Sequence, residues 1–208
     1  MEQQKVIISN CLRESMSQAI AECEYDKLFI LADQTTDRLC LPLIRDYDFV
    51  KGAHKIVIGD TDSNKTLESV AHVWQELGRL GATRHSLMIN LGGGMITDLG
   101  GFAASTFKRG IQFINVPTTL LSLVDASVGG KTGINFGGLK NEIGVFNNAQ
   151  SVIDNIIDYK TDSSIQDWIN GEISNKAGIS SDWYVVGLSQ YSSGYNFSGY
   201  EKALKKYL

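Results

Sequence analysis

Leu87-Met88-Ile89-Asn90-Leu91-Gly92-Gly93-Gly94 decides the fold. A short apolar run that ends in consecutive glycines reads as a buried strand followed by a tight turn. The segment Thr97–Phe107 that follows has helical composition, so the glycines sit between a strand and a helix. Two readings of that turn stay open at this level. Its amides can approach a pyrophosphate at a helix N-terminus, or the glycines can simply allow tight packing. The spacing is not that of the GxGxxG dinucleotide fingerprint, because the third glycine position is Thr97.

Working outward, the same texture repeats. Val6-Ile7-Ile8, Leu28-Phe29-Ile30-Leu31, Ile56-Val57-Ile58 and Phe113-Ile114-Asn115-Val116 are further strand candidates. Helix patterns lie at Arg13–Cys23 and at Lys65–Leu80, where Leu67, Val70, Val73, Trp74 and Leu77 recur at helical spacing. The alternation predicts an α/β fold, Rossmann-like, with a mostly parallel sheet and flanking helices. Ligands of such sheets bind beyond the carboxyl ends of the strands, where this chain carries Asp33, Asp60, the glycine turn and Pro117-Thr118-Thr119. Asp33 reads either as an acceptor for a ribose or as a turn or helix cap.

From about Ser151 the texture changes, and a boundary is expected near residue 152. Residues 1–152 form the expected α/β domain. Residues 153–208 form an expected short, mainly helical tail, with helix starts at Ser164–Asn170 and at the Ser198-Gly-Tyr-Glu201 capping box, and a loop at Tyr191–Tyr200.

Bulk composition narrows the function classes. Hydrophobic residues make up 43% and charged residues 20%, a globular balance. The net charge of -4 argues against a general nucleic-acid binder, while leaving room for a local basic pocket. No apolar run reaches the roughly 18 residues of a membrane span, and the N-terminus lacks a secretory profile, so a cytoplasmic location is expected. Cys11, Cys23 and Cys40 show no CxxC spacing, and His54, His72 and His85 form no metal-binding pair.

Gly129-Gly130-Lys131-Thr132 resembles the end of a phosphate loop, but the first glycine of that motif would fall at Asp125, whose carboxylate would face the phosphates. The nucleotide-loop reading therefore fails. Lys108-Arg109 and Lys140-Asn141 place cations and an amide in glycine-rich surroundings, suitable for a phosphate or carboxylate, or for ordinary solvated surface.

Read as one block, Gly92 to Asn135, continuing through Gly138-Leu-Lys-Asn-Glu-Ile-Gly-Val-Phe146, closely resembles the 3-dehydroquinate synthase family. That resemblance implies an N-terminal NAD-binding domain of Rossmann type, with metal ligands supplied by a C-terminal helical domain. It implies that Asp33 holds the adenosine ribose, and that Asp62 and Lys65 match an acidic-x-x-Lys element beside the nucleotide. Gly93, Gly94 and Asp98 match the pyrophosphate turn and its anchoring carboxylate. Thr118 and Thr119 line the nicotinamide side. Asp125, Lys131, Lys140 and Asn141 face a small phosphorylated sugar acid, and Arg109 reaches its phosphate across a homodimer interface. The implied chemistry is elimination of phosphate from 3-deoxy-arabino-heptulosonate 7-phosphate through transient oxidation by NAD, aided by zinc or cobalt.

The chain departs from the family pattern in two ways. Thr35 stands where the family commonly has Asn, and after Val152 the expected acidic helix and paired histidines do not follow, since no histidine occurs beyond His85. No metal ligand is therefore assigned to this chain. An incomplete enzyme is the expectation, with another sugar-phosphate cyclase, a metal-dependent alcohol dehydrogenase relative or a non-catalytic scaffold as alternatives.

Overall fold

The computed structural model describes residues 4–155, apart from Asn10 and Leu120. The features expected at 164–170, 191–200 and 198–201 lie outside the described residues. In chain order the strands are β1 (Val6–Ser9), β2 (Leu28–Asp33), β3 (His54–Ile58), β4 (Leu87–Gly92), β5 (Gln112–Pro117), β6 (Lys131–Phe136), β7 (Leu139–Phe146) and β8 (Ser151–Asn155). The α-helices are α1 (Leu12–Ala21), α2 (Gln34–Leu39), α3 (Leu41–Ile44), α4 (Asp48–Lys51), α5 (Leu67–Arg79) and α6 (Gly94–Thr106).

Six strands form one sheet in the order β1-β8-β5-β4-β2-β3, and every pairing is parallel. Every residue of β2 and of β4 is buried, as a sheet covered on both faces requires. This is the α/β architecture expected from the apolar runs. The chain passes from β2 to β3 on one side, then returns to place β4 on the other side of β2. That reversal opens a crevice at the carboxyl ends of β2 and β4, the switch point where doubly wound sheets bind ligands.

α5 is capped by Thr66, whose hydroxyl accepts from Ser69 N at 3.3 Å. Val70, Val73 and Leu77 are its buried stripe, while Leu67 of the expected set is exposed. The Trp74 indole donates to Ala103 O at 3.1 Å and ties α5 to α6. α6 can approach the sheet closely because a Cβ at Gly100 would fall 2.2 Å from Asn90 Oδ1 and 2.9 Å from Leu31 Cδ2.

Two elements go beyond the sequence expectation. β6 and β7 form an antiparallel hairpin packed on α6, closed by Gly137 and Gly138 at φ 58° and 82°, where left-handed residues suit a two-residue turn. β8 inserts between β1 and β5 with Val152 and Ile153 fully buried, so the sheet continues to Asn155, across the expected boundary at 152. A run as short as Val152-Ile153 carries too little periodicity to identify a strand from sequence.

Candidate functional site

At the carboxyl end of β2, Asp33 is the N-cap of α2. Its Oδ1 accepts from Thr36 N at 2.7 Å, and Thr36 Oγ1 accepts from Asp33 N at 3.0 Å, a reciprocal cap. Burial pushes the Asp33 carboxyl above its usual range, against the hydrogen bonds from Thr36. Beside it, Thr35 Oγ1 donates to Asp60 Oδ2 at 3.0 Å, so Thr35 bridges the ends of β2 and β3. Asp33 thus serves as the cap that one sequence reading expected, at the switch-point crevice that the other required.

Across that crevice, Gly93 is the N-cap of α6, and no side chain caps this helix end. Thirteen residues of helix therefore present their first amides and positive dipole end toward the crevice. A Cβ at Gly93 would come within 3.1 Å of Thr119 Cγ2, and one at Gly94 within 3.1 Å of Ala126 Cβ. Glycine keeps the turn open. Thr118 N donates to Gly92 O at 3.0 Å, holding the ends of β4 and β5 together. Thr118 Oγ1 is buried and has no hydrogen-bond partner among the described residues, an orphaned group beside the turn.

A second cluster lies one helical turn along α6. Asp98, four residues after Gly94, forms an ion pair with Lys65 Nζ at 2.5 Å. Lys65 is 4% exposed, and its ammonium also donates to Asn141 Oδ1. Lys65 arrives there by a short 3₁₀ turn, Asp62–Asn64, entered through Thr61 in the left-handed region at φ 68°. The same turn carries Asp62, whose Oδ2 pairs with Lys140 Nζ at 3.0 Å. Asn135 completes the cluster: its Nδ2 donates to Asp62 O at 3.2 Å and its Oδ1 accepts from Asn141 N at 3.0 Å.

The electrostatics follow from burial and pairing. Burial pushes the Asp98 carboxyl up, Lys65 opposes it, and the negative charges of Asp125 and Asp62 add to the upward shift. Asp125 is therefore within electrostatic reach of the cluster, from the short π-helical segment Ser122–Ala126. Burial also works to raise Asp62, but the hydrogen bond and charge of Lys140, with Asn135 and Lys65, outweigh it and hold Asp62 below the usual range.

Two expected residues lie away from the cluster. Lys131 is exposed at the start of β6, four residues and about 13 Å of strand from Asn135. Arg109 is exposed beyond the far end of α6, roughly 15 Å along the axis from Asp98, in a turn where Lys108 and Arg109 both take positive φ, 49° and 72°. Asn135 was not singled out in the sequence. Its only signal there was its place four residues after Lys131, on the same face of an extended run.

Among the described residues no three His, Cys, Asp or Glu side chains gather to hold a metal ion, and no helix is long and apolar enough to cross a membrane. The three cysteines are unbonded, with Cys23 and Cys40 buried.

A glycine turn at the switch point is thus joined through α6 to a paired Lys–Asp–Asn cluster. Residues 55–166 match the family model described as 3-dehydroquinate synthase N-terminal. The chain belongs to the 3-dehydroquinate synthase N-terminal family. It is 53% identical over 146 residues to the 3-dehydroquinate synthase of Parabacteroides distasonis, covering 70% of this chain and 41% of that relative. With the 3-dehydroquinate synthase of Thermococcus kodakarensis it shares 38% identity over 178 residues, covering 86% and 50%. The chain thus spans half or less of the length of these 3-dehydroquinate synthases. The family match reaches residue 166, beyond the change of texture near 152.

Solved structures place the 3-dehydroquinate synthase fold among sugar-phosphate cyclases. A 2-deoxy-scyllo-inosose synthase complexed with carbaglucose-6-phosphate, NAD+ and Co2+ superposes with a TM-score of 0.65 at 27% identity, covering 71% of this chain and 41% of that one. ValA, the 2-epi-5-epi-valiolone synthase of Streptomyces hygroscopicus with NAD+ and Zn2+ bound, gives 0.64 at 29%, covering 74% and 43%. An iron-containing alcohol dehydrogenase of Thermotoga maritima, at 11% identity and a TM-score of 0.57, shares the fold alone.

Proposed function

We propose that this chain is the cofactor- and phosphate-binding part of a 3-dehydroquinate synthase-type lyase of the shikimate pathway, working in the cytoplasm on 3-deoxy-arabino-heptulosonate 7-phosphate. The observation that carries the reading is the juxtaposition at α6: an uncapped helix N-terminus on glycines, an orphaned Thr118 hydroxyl, and the Lys65–Asp98–Asn141 cluster one turn further on.

These residues fit NAD. The α6 amides with Gly93 and Gly94 would hold its pyrophosphate, Asp33 its adenosine ribose, Asp62, Lys65 and Asp98 the adjoining nucleotide, and Thr118 and Thr119 the nicotinamide side. When bound, NAD supplies a hydride acceptor that returns the hydride later in the same turnover. The described residues gather no set of side chains that fits a catalytic metal.

The substrate side falls to Lys140 and Asn141, with Asp125 within electrostatic reach of Asp98, while Lys131 stands further along β6. Lys140 can exchange Asp62 for an anionic oxygen, since that pair is largely solvent-exposed and of modest strength. Asn141 offers an amide donor beside it. Lys65, almost fully buried, donates to the Asp98 carboxylate and to Asn141 Oδ1, so it orients both side chains. Arg109 would serve the phosphate of a second protomer's site in a homodimer. The domain runs at least through β8 to Asn155, and the chain alone binds NAD without completing turnover.

Calorimetry with NAD tests the reading. Binding that weakens on Asp98→Ala supports it, whereas no heat at millimolar NAD refutes it in favour of a non-catalytic scaffold. Conversion of the heptulosonate phosphate by the purified chain with zinc or cobalt would refute the incomplete-enzyme part alone. The same assay with other sugar phosphates tests the cyclase alternative that the 27–29% identical neighbours raise.

A further inference from the structure

We infer that Asn135 is a positioning residue that couples the nucleotide side of this site to its phosphate side; the inference rests on the function proposed above. The hairpin register shows why. Phe136 pairs with Leu139 and Ile134 pairs with Ile143, so one residue of β6, Asn135, stands opposite Lys140, Asn141 and Glu142. Such a bulge re-aims side chains, and here it turns Asn141 into the left-handed region at φ 53°.

The polar groups of Asn135 hold that irregularity in place. Its Oδ1 accepts from Asn141 N at 3.0 Å, in the bulge. Its Nδ2 donates to Asp62 O at 3.2 Å and to Asp62 Oδ2 at 3.3 Å, in the turn that carries Lys65. Its own backbone N–H donates to Lys65 O at 2.9 Å. One short side chain therefore bridges the Asp62–Lys65 turn and the Lys140–Asn141 bulge, elements separated by more than seventy residues.

The charges make the bridge a coupling device. Lys140 is paired with Asp62, so an anion that draws Lys140 away releases the Asp62 carboxylate. Asn135 is then the neutral donor that keeps Asp62 at its post, ready for a nucleotide hydroxyl. Filling the phosphate side should therefore tighten the nucleotide side, and by linkage the reverse.

The test is a binding cycle on the full 208-residue chain, with NAD titrated by calorimetry in the presence and absence of inorganic phosphate. For the unmodified chain, phosphate is expected to tighten NAD by about tenfold, within the usual range of site–site coupling. In Asn135→Ala the factor, read as the ratio of NAD affinities with and without phosphate and so independent of any loss in NAD affinity itself, falls to within about twofold of one. Asn135→Asp keeps an acceptor for Asn141 N but sets a carboxylate against Asp62; it also loses the coupling and weakens NAD further. Thermal unfolding of both variants confirms that they fold.

Coupling of wild-type size in either variant overturns the inference, as does NAD binding by the unmodified chain that phosphate leaves unchanged. No NAD binding by the unmodified chain overturns the proposed function itself, and the inference with it.

Discussion

Asp154 should make the stability of this domain fall as pH rises, and Asp154→Asn should remove that slope. The residue lies on β8, level with Ile8 of β1, and is 0% exposed. Neither of its carboxylate oxygens has a hydrogen-bond partner among the described residues. Burial alone pushes its pKa from the ordinary 3.8 up to about 8. In the unfolded chain the group ionises near 4, while in the folded domain it keeps its proton to about 8. Between those values folding takes up a proton, so each added pH unit costs about 1.4 kcal/mol of stability. Below that window the group adds no slope; above it, the full penalty of a buried charge remains.

Urea unfolding of the unmodified chain and of Asp154→Asn at pH 5, 6, 7 and 8 measures this directly. The buried amide of the variant also meets no partner among the described residues, so absolute stabilities are not the readout. The difference in slope is. It should approach 1.4 kcal/mol per pH unit through the middle of the window. Parallel profiles, with slopes agreeing to about 0.3 kcal/mol per unit, would refute the claim that Asp154 folds as a buried neutral acid.

Other substitutions probe the site. Gly93→Ala adds a methyl 3.1 Å from Thr119 Cγ2 without backbone strain; NAD should bind about tenfold more weakly by calorimetry at nearly unchanged melting temperature, and unchanged affinity would count against the turn as the pyrophosphate site. Lys65→Met leaves Asp98 in a buried setting without its cation. It should cost about 3 kcal/mol in urea unfolding at pH 8 and less at pH 5, where Asp98 can protonate; equal losses at both pH values would argue against the ion pair as the cause. Asp33→Ala should lose about 1 kcal/mol of helix capping and weaken NAD, whereas Asp33→Ser should restore the cap but not the affinity. Recovery of both by Ser would make Asp33 a cap and nothing more.

Legibility in the sequence tracked how local each cause is. β2 and β4 could be read because a strand buried on both faces must be apolar along its whole length. The turn at Gly92–Gly94 could be read because few other residues follow a strand with so little side-chain bulk. The hairpin escaped because β7 is exposed along its entire length and carries no burial pattern. Asp60 and Asp62 are equivalent by composition, and only their places in the fold part them. In the structure Asp62 joins the Lys65 cluster and Asp60 pairs with Thr35.

The sequence by itself determined the layers of this protein, its strand-to-helix turn at the switch point and its family, since each depends on residues near one another in the chain. The tertiary structure alone decided which charges meet. Lys65, expected beside the nucleotide, is buried against Asp98 and Asn141. Asn135, unremarkable as a letter, sits where a bulge in one hairpin meets the turn that follows β3. Hydrogen bonds and ion pairs act over about 3–4 Å of space whatever the separation along the chain, and only the folded backbone sets those distances.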